Sequence, residues 1–265
     1  MTKTMNATGA LSRPCPLCGA TEHVELLRHE PWRLVRCAKC ELCYLPEIPP
    51  EEAIETDFDW AKSFATERRR RWFEHPLMRF WTLAVMSLKP SRDHRALRYI
   101  QRFAPRGRLL DVGCGDGRLA ALALRSGYDV AGVELSPQMA AKAVRRLGRE
   151  RVHLGRLQDA PYQPGSFDLI VTVSYLEHDP DPVGSLRRMR ELLKPGGVCV
   201  HKTPNYASKL RGWLGTRWSG YRWPEHVQYY TPQTLGAVLE RAGFRAEASQ
   251  APSLGDNMWI VGRRD

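Results

Sequence analysis

From Arg108 onward, short apolar runs alternate with stretches of helical periodicity. The runs at 108–113, 128–134, 151–154, 167–173 and 197–203 have strand length, and the segments between them leave room for helices. That rhythm predicts βαβ units around a parallel sheet, an α/β fold. Near the end, Thr231-Pro232 offers an N-cap and a first-turn proline for a helix that Gly243 closes, and the runs 244–250 and 256–262 are spaced as an antiparallel pair.

Upstream the pattern differs. Residues 1–12 are polar and aperiodic and read as a disordered start. Residues 13–48 carry paired cysteines with alternating apolar residues between them (Val24, Leu26; Trp32, Leu34, Val35), which predicts short strands. Pro49-Pro50 ends that module, and 49–104 read as a helical connector or lid leading into the main domain, 105–265. Within that domain the Trp-, Tyr- and Gly-rich stretch 205–230 is too long for a minimal connection.

Composition narrows the class of protein. A chain of 265 residues can bury one sizeable α/β core beside a small module. The net charge of +11 favours acidic surroundings without choosing among them, and the arginines at 68–71, 187, 188 and 190 read as solvated helix faces. No apolar run is long enough to span a bilayer and no signal pattern opens the chain, so a cytoplasmic location is expected. Residues 72–88, rich in Trp and Phe beside an arginine cluster, suit a lid over the main domain or peripheral contact with the inner membrane face. The sequence does not speak to oligomeric state.

Four of the seven cysteines carry a clear message. Cys15-Pro16-Leu17-Cys18 and Cys37-Ala38-Lys39-Cys40 make two C-x2-C knuckles separated by 18 residues, the spacing of a zinc ribbon. Four thiolates close a tetrahedral site, so Zn2+ there is expected to be structural. Cys43, His23 and His29 fall outside the completed set, and Cys114 and Cys199 read as core residues.

The run Leu109-Leu110-Asp111-Val112-Gly113-Cys114-Gly115-Asp116-Gly117 is a strand followed by glycines and then a helix, a place where the backbone can approach a ligand. Its third glycine arrives one residue earlier than in the G-x-G-x-x-G of dinucleotide folds, and an acidic residue precedes the loop. The second strand ends in Glu134, placed to accept from both hydroxyls of a ribose. Gly155 to Pro161, Gly165 to Ile170 and Leu193 to Gly197 follow in order. Together these resemble class I S-adenosylmethionine methyltransferases over about 108–262. The resemblance implies a Rossmann-like seven-stranded sheet behind the zinc ribbon. It implies S-adenosylmethionine held by Asp111, Gly113, Gly115, Gly117 and Glu134, with adenine contacts at Leu157 and Gln158. Arg156 departs from the Asp common at that position in the family.

Methyl transfer from a sulfonium needs alignment, and a base only where the acceptor bears a proton. Ser174-Tyr175-Leu176-Glu177-His178-Asp179 follows the fourth strand, at the ligand-facing edge, and His178 is a candidate base with Glu177 and His226 beside it in role. The loop resembles ubiquinone-type O-methyltransferases and small-RNA end methyltransferases, whose Glu-x-x-Glu-His pattern binds a divalent ion. Here Ser174 replaces the first Glu, which leaves Glu177, His178 and His226 as an incomplete site by that resemblance, so Mg2+ is not expected to be essential. The stretch 203–231 is similar to methyltransferases of sugar and glycan biosynthesis, which implies acceptor contacts from Asn205, Trp223 and Tyr230, with Trp213 and Trp218 stacking. The expected reaction is O-methylation of a small-molecule or saccharide-type acceptor. The alternatives are a zinc-ribbon RNA base methyltransferase, with RNA as partner, and a cofactor-binding protein without turnover.

Overall fold

The structure, a computed structural model, describes residues 4–5, 10–50, 91–253 and 255–265. The N-terminal module contains β1 (Thr4–Met5), β2 (Leu11–Ser12), β3 (His23–His29), β4 (Trp32–Cys37), β5 (Cys43–Tyr44) and β6 (Glu47–Ile48). The aperiodic opening stretch therefore carries two short strands: β1 pairs with β2, and Leu11 of β2 pairs with the buried Ile48 of β6. Two-residue strands are too short for alternation to announce them. β3, β4 and β5 form an antiparallel meander between and beyond the cysteine knuckles. Most of the predicted connector, including the whole of 72–88, lies outside the described residues. The described part resumes at residue 91 and enters α1 (Arg92–Ile100), capped by Ser91, whose hydroxyl accepts from the His94 amide.

The main domain then alternates as expected. The chain runs through β7 (Arg108–Val112), α2 (Arg118–Arg125), β8 (Asp129–Glu134), α3 (Pro137–Leu147), β9 (Val152–Leu154), β10 (Phe167–Val173), α4 (Pro182–Leu192) and β11 (Leu193–Pro204). It continues through α5 (Lys209–Leu214), β12 (Gln228–Tyr229), α6 (Pro232–Arg241), β13 (Arg245–Gln250) and β14 (Asn257–Arg263). Seven strands make one sheet in the order β13-β14-β11-β10-β7-β8-β9, parallel except for β14. β11 begins earlier than its apolar run, because Leu193 already pairs with Phe167 before a register shift carries the ladder to Leu169 and Val198. Caps set the helix starts: Ser136 before Pro137, Asp181 before Pro182, and Thr231 before Pro232, where Thr231 and Thr234 form a reciprocal capping box.

Alternation along the strands sends side chains to two cores. Leu109, Val171 and Val200 face α1, α2 and α3, whereas Leu110, Ile170 and Cys199 face α4 and α6. The second core does not stop at the helices. It continues into Cys15, Leu17, Val35, Cys37, Leu42 and Tyr44 of the N-terminal module, so the ribbon shares the main domain's interior.

A late segment also joins the ribbon. β12 pairs antiparallel with β5, Gln228 opposite Tyr44 and Tyr229 opposite Cys43, completing the four-stranded sheet β12-β5-β4-β3. A third core lies between them, where Leu34, Cys43, Leu45 and Ile48 pack against Tyr206, Trp218, Val227 and Tyr229.

One glycine controls how α2 leaves the sheet. Gly117 caps α2 with φ +76°, and a Cβ there would lie 3.0 Å from Ala143 Cα of α3. Gly117→Ala is accordingly expected to lower stability by about 1–2 kcal/mol through left-handed backbone cost and α2–α3 crowding. Chemical denaturation should register it, and an unchanged midpoint would contradict the assignment.

Candidate active site

The parallel strands β7, β8, β10 and β11 point their carboxyl ends at one edge, and a cleft of about 1530 Å³ opens there. The glycine loop after β7 forms one wall, and the 174–181 loop after β10 forms the other.

Two carboxylates dominate the first wall. Asp111, the fourth residue of β7, is 3% exposed, and among the described residues no donor pairs with its carboxylate. Burial, reinforced by Glu134 and Asp93, pushes its pKa up to about 7. Glu134 accepts from the Gly115 amide at 2.7 Å and the Ser136 amide at 2.8 Å, while burial raises it too. Gly113 is required sterically: at φ +72°, a Cβ would meet Tyr175 Cδ2 at 2.9 Å. Gly115, at φ +57°, faces open space. Leu157 and Gln158 also line the cleft, Gln158 donating to Ser185 Oγ at 3.1 Å. Gly117 does not line it and serves the α2–α3 contact instead. Such a wall suits a ligand that brings positive charge to buried carboxylates.

The opposite wall brings Glu177, His178 and His226 together, with ligating atoms within 4.8 Å of one another. Ser174 turns the chain out of β10 at φ +58°, its amide donating to Lys202 O at 2.8 Å and its hydroxyl bonding Glu177. Glu177 is 1% exposed; Oε2 accepts from Thr203 Oγ1 at 3.0 Å, and Oε1 is buried with no hydrogen-bond partner among the described residues. Burial raises its pKa, with Lys202 opposing. His178 Nδ1 sits 2.8 Å from Glu225 O and His226 Nδ1 2.7 Å from Gly220 O, which places the proton of each neutral ring on Nδ1. Burial drives both imidazole pKa values down, His178 well below its usual value and His226 to about 3. Both rings stay neutral near pH 7.

Hard divalent ions such as Mg2+ want several oxygen ligands, and this trio offers one carboxylate and two imidazoles. The residues do not fit magnesium.

Residues that sequence reasoning passed over complete the cleft. Lys202, at the end of β11, donates to Asn257 Oδ1 at 2.7 Å, and burial lowers its ammonium to about 8, against the pull of Glu177. Arg92, Asp93 and Arg95 arrive from the first turn of α1. Lys202 lies near the ligand-facing end of the predicted strand 197–203, a charged residue in an otherwise largely apolar run, which was a usable signal; the α1 residues had none.

The proposed acceptor contacts are not brought to the cleft. Asn205 Oδ1 accepts from the Ala207 amide at 3.0 Å and shapes a turn. Tyr230 is fully buried, its hydroxyl donating to Leu176 O at 3.2 Å. Trp223 stacks on His29 of the ribbon hairpin, centroids 5.7 Å apart, and Trp218 donates to Asp256 Oδ1 at 2.8 Å. Trp213 is 83% exposed. An aromatic-rich insertion has the same composition whether it grips a ligand or packs on a neighbour, and here it packs on the ribbon.

In the ribbon, Cys15, Cys18, Cys37 and Cys40 converge with their sulfurs within 4.8 Å of one another, Cys15–Cys40 at 3.4 Å and Cys18–Cys37 at 3.5 Å. Tetrahedral thiolates about 2.3 Å from one zinc ion would stand roughly 3.8 Å apart, so the set fits. Cys43 lies outside it, its thiol directed at Glu41 O.

Known proteins agree with this architecture. Residues 89–249 match the methyltransferase domain family. The chain is 34% identical over 151 residues to a ubiquinone biosynthesis O-methyltransferase of Xanthomonas euvesicatoria, covering 53% of this chain and 63% of that one. It is 37% identical over 182 residues to one of Ralstonia nicotianae, covering 62% and 75%. The chain thus spans just under two thirds of the length of the first of these relatives. In fold it resembles an S-adenosylmethionine-dependent methyltransferase of Thermotoga maritima, with TM-score 0.55, 21% identity, and coverage of 77% and 97%. Another from Mesorhizobium loti superposes with TM-score 0.52 at 22% identity, covering 66% and 98%. The chain belongs to the methyltransferase domain family, with the fold of the class I S-adenosylmethionine-dependent methyltransferases.

Proposed function

We propose that the protein methylates a hydroxyl oxygen of a small molecule, with Glu177 as the proton acceptor. The observation that carries this reading is the buried Oε1 of Glu177, without a partner among the described residues, on the wall opposite Asp111 and Glu134. An acceptor hydroxyl donating there satisfies the orphaned oxygen. Asp111, Glu134 and the glycine loop would hold S-adenosylmethionine, which would supply a methyl group on a positively charged sulfur. Transfer of that methyl to the acceptor oxygen would break its bond to sulfur and release S-adenosylhomocysteine, and the acceptor's proton would be taken by Glu177, whose raised pKa makes it a stronger base than an exposed carboxylate. His226, held near pKa 3, is a poor base, and both imidazoles serve better as neutral groups that bound the acceptor. The ubiquinone-pathway relatives support oxygen as the atom methylated. The saccharide-type reading loses its residues, since Asn205, Trp223 and Tyr230 serve packing. Zn2+ in the ribbon is read as structural.

Three outcomes test this. In a homocysteine-release assay on candidate phenolic and sugar hydroxyls, Glu177→Gln should lower turnover by about 10²-fold or more while leaving S-adenosylmethionine affinity nearly intact. Brief EDTA treatment should leave turnover largely unchanged. Abolition by EDTA with recovery on added magnesium or manganese, while the ribbon keeps its zinc, would make Glu177 a metal ligand and sink the base assignment.

Asp111 makes cofactor binding pH-dependent. Its pKa near 7 must fall when an ammonium group docks, so binding releases a proton, and affinity weakens as pH drops below about 7. Calorimetry at pH 6.5 in buffers of different ionisation enthalpy should register that release. Asp111→Asn should abolish it and weaken binding about tenfold, roughly 1.4 kcal/mol. An affinity flat from pH 5.5 to 8 would count against the assignment.

Elemental analysis of protein purified without chelator should find one equivalent of zinc, lost in Cys37→Ser. Metal-free, folded protein would remove zinc from the account.

A further inference from the structure

The N-terminal module touches the wall of the cleft that carries Glu177, and one side chain makes the connection. Arg13, 9% exposed, donates from Nε to Leu45 O at 2.9 Å, from one terminal nitrogen to Pro180 O at 2.8 Å and from the other to Val227 O at 2.8 Å. Those carbonyls belong to three separate pieces of chain: the ribbon after β5, the loop after β10, and the segment before β12. A guanidinium is the side chain suited to this task, because its planar fork presents donors in several fixed directions at once.

The same three pieces are laced together by backbone. The Leu45 amide donates to Val227 O at 3.0 Å. The Val227 and Gln228 amides then both donate to Glu177 O, at 2.8 and 3.1 Å. Gln228 Nε2 donates to Asp179 O at 2.9 Å, and β12 pairs with β5 through the next residues. The path from ribbon to Glu177 is therefore continuous: Leu45, Val227, Glu177, with Arg13 bonded to the first two carbonyls and to Pro180 O in the loop that carries Glu177. Nothing comparable ties the ribbon to the glycine loop among the described hydrogen bonds.

We propose that the cysteine ribbon is a built-in clamp for the acceptor-side loop, with Arg13 as its positioning residue. The ribbon holds the backbone of 176–180 and 226–228 so that Glu177, His178 and His226 keep their mutual geometry. This places the ribbon's role inside the reaction site rather than on an outer surface. The inference rests on the reading that this loop serves the acceptor, and the two are separable: Glu177→Gln tests the loop's role, whereas Arg13 variants test the clamp.

Hydrogen–deuterium exchange of the full-length, metal-loaded protein provides the test. In Arg13→Ala, amides in 176–180 and 226–230 should exchange about tenfold faster, while 109–125, containing the glycine loop and α2, should be unchanged. Arg13→Lys should fall between, since one ammonium cannot reach three diverging carbonyls, and it carries the test if Arg13→Ala does not fold. In turnover, both variants should lose kcat with the KM and Kd for S-adenosylmethionine held within about twofold. Faster exchange confined to 10–48, or uniform acceleration across the chain in both variants, would overturn the clamp. So would an equal loss in cofactor affinity. If Glu177→Gln keeps full turnover while the exchange result stands, the clamp is real and the acceptor reading of the loop is what fails.

Discussion

Parallel strands that finish at one edge of a sheet oblige the chain to gather its strand-ending loops there, and this constraint organises the molecule. Asp111 and Glu134 meet across the glycine loop because β7 and β8 are neighbours in register, Asp111 beside Gly132 and Val112 beside Val133. Lys202 and the 174–179 loop meet because β10 and β11 are neighbours on the other side of β7. These strand-end residues of the cleft need no long-range recognition of one another, unlike His226 and the α1 residues beside them. Ladder pairing brings them in, and the electrostatics follows: carboxylates with raised pKa on both walls, and an ammonium lowered by burial between them and α1.

Long-range recognition enters where the fold departs from a bare α/β domain. The 205–230 insertion and the ribbon bury each other's apolar faces, with Trp218 and Tyr206 against Leu34, Leu45 and Ile48. Each alone would expose much of a core: the ribbon is too small to hide its own interior, and the insertion has only short helices. Their mutual burial explains why the aromatic residues of the insertion are so many and why so few reach the cleft.

What the sequence made legible tracks this division. The glycine loop, the strand carrying Asp111, the strand end at Glu134 and the cysteine knuckles are local patterns, each readable within about twenty residues, and their geometry followed. His226 was grouped with Glu177 and His178 through resemblance to related enzymes, and the three do converge. Arg13 was invisible: a lone arginine two residues before a cysteine says nothing of carbonyls at 180 and 227. Asn205, Trp223 and Tyr230 were misplaced because polar and aromatic side chains near a strand end look alike whether they face solvent, ligand or a neighbouring module. Gly117 was attached to the right loop but serves helix packing.

The pairing of β12 with β5 joins Gln228 to Tyr44 and Tyr229 to Cys43, positions far apart in the chain. During synthesis from the N-terminus, the ribbon emerges early with β5 as an open edge, and the strand that covers it is made only after most of the sheet domain. The knuckles can close on their own; the ribbon sheet cannot. A nascent chain halted before residue 228 therefore carries an incomplete ribbon beside a sheet that still lacks β13 and β14, and the arrival of the insertion unites the ribbon with the domain.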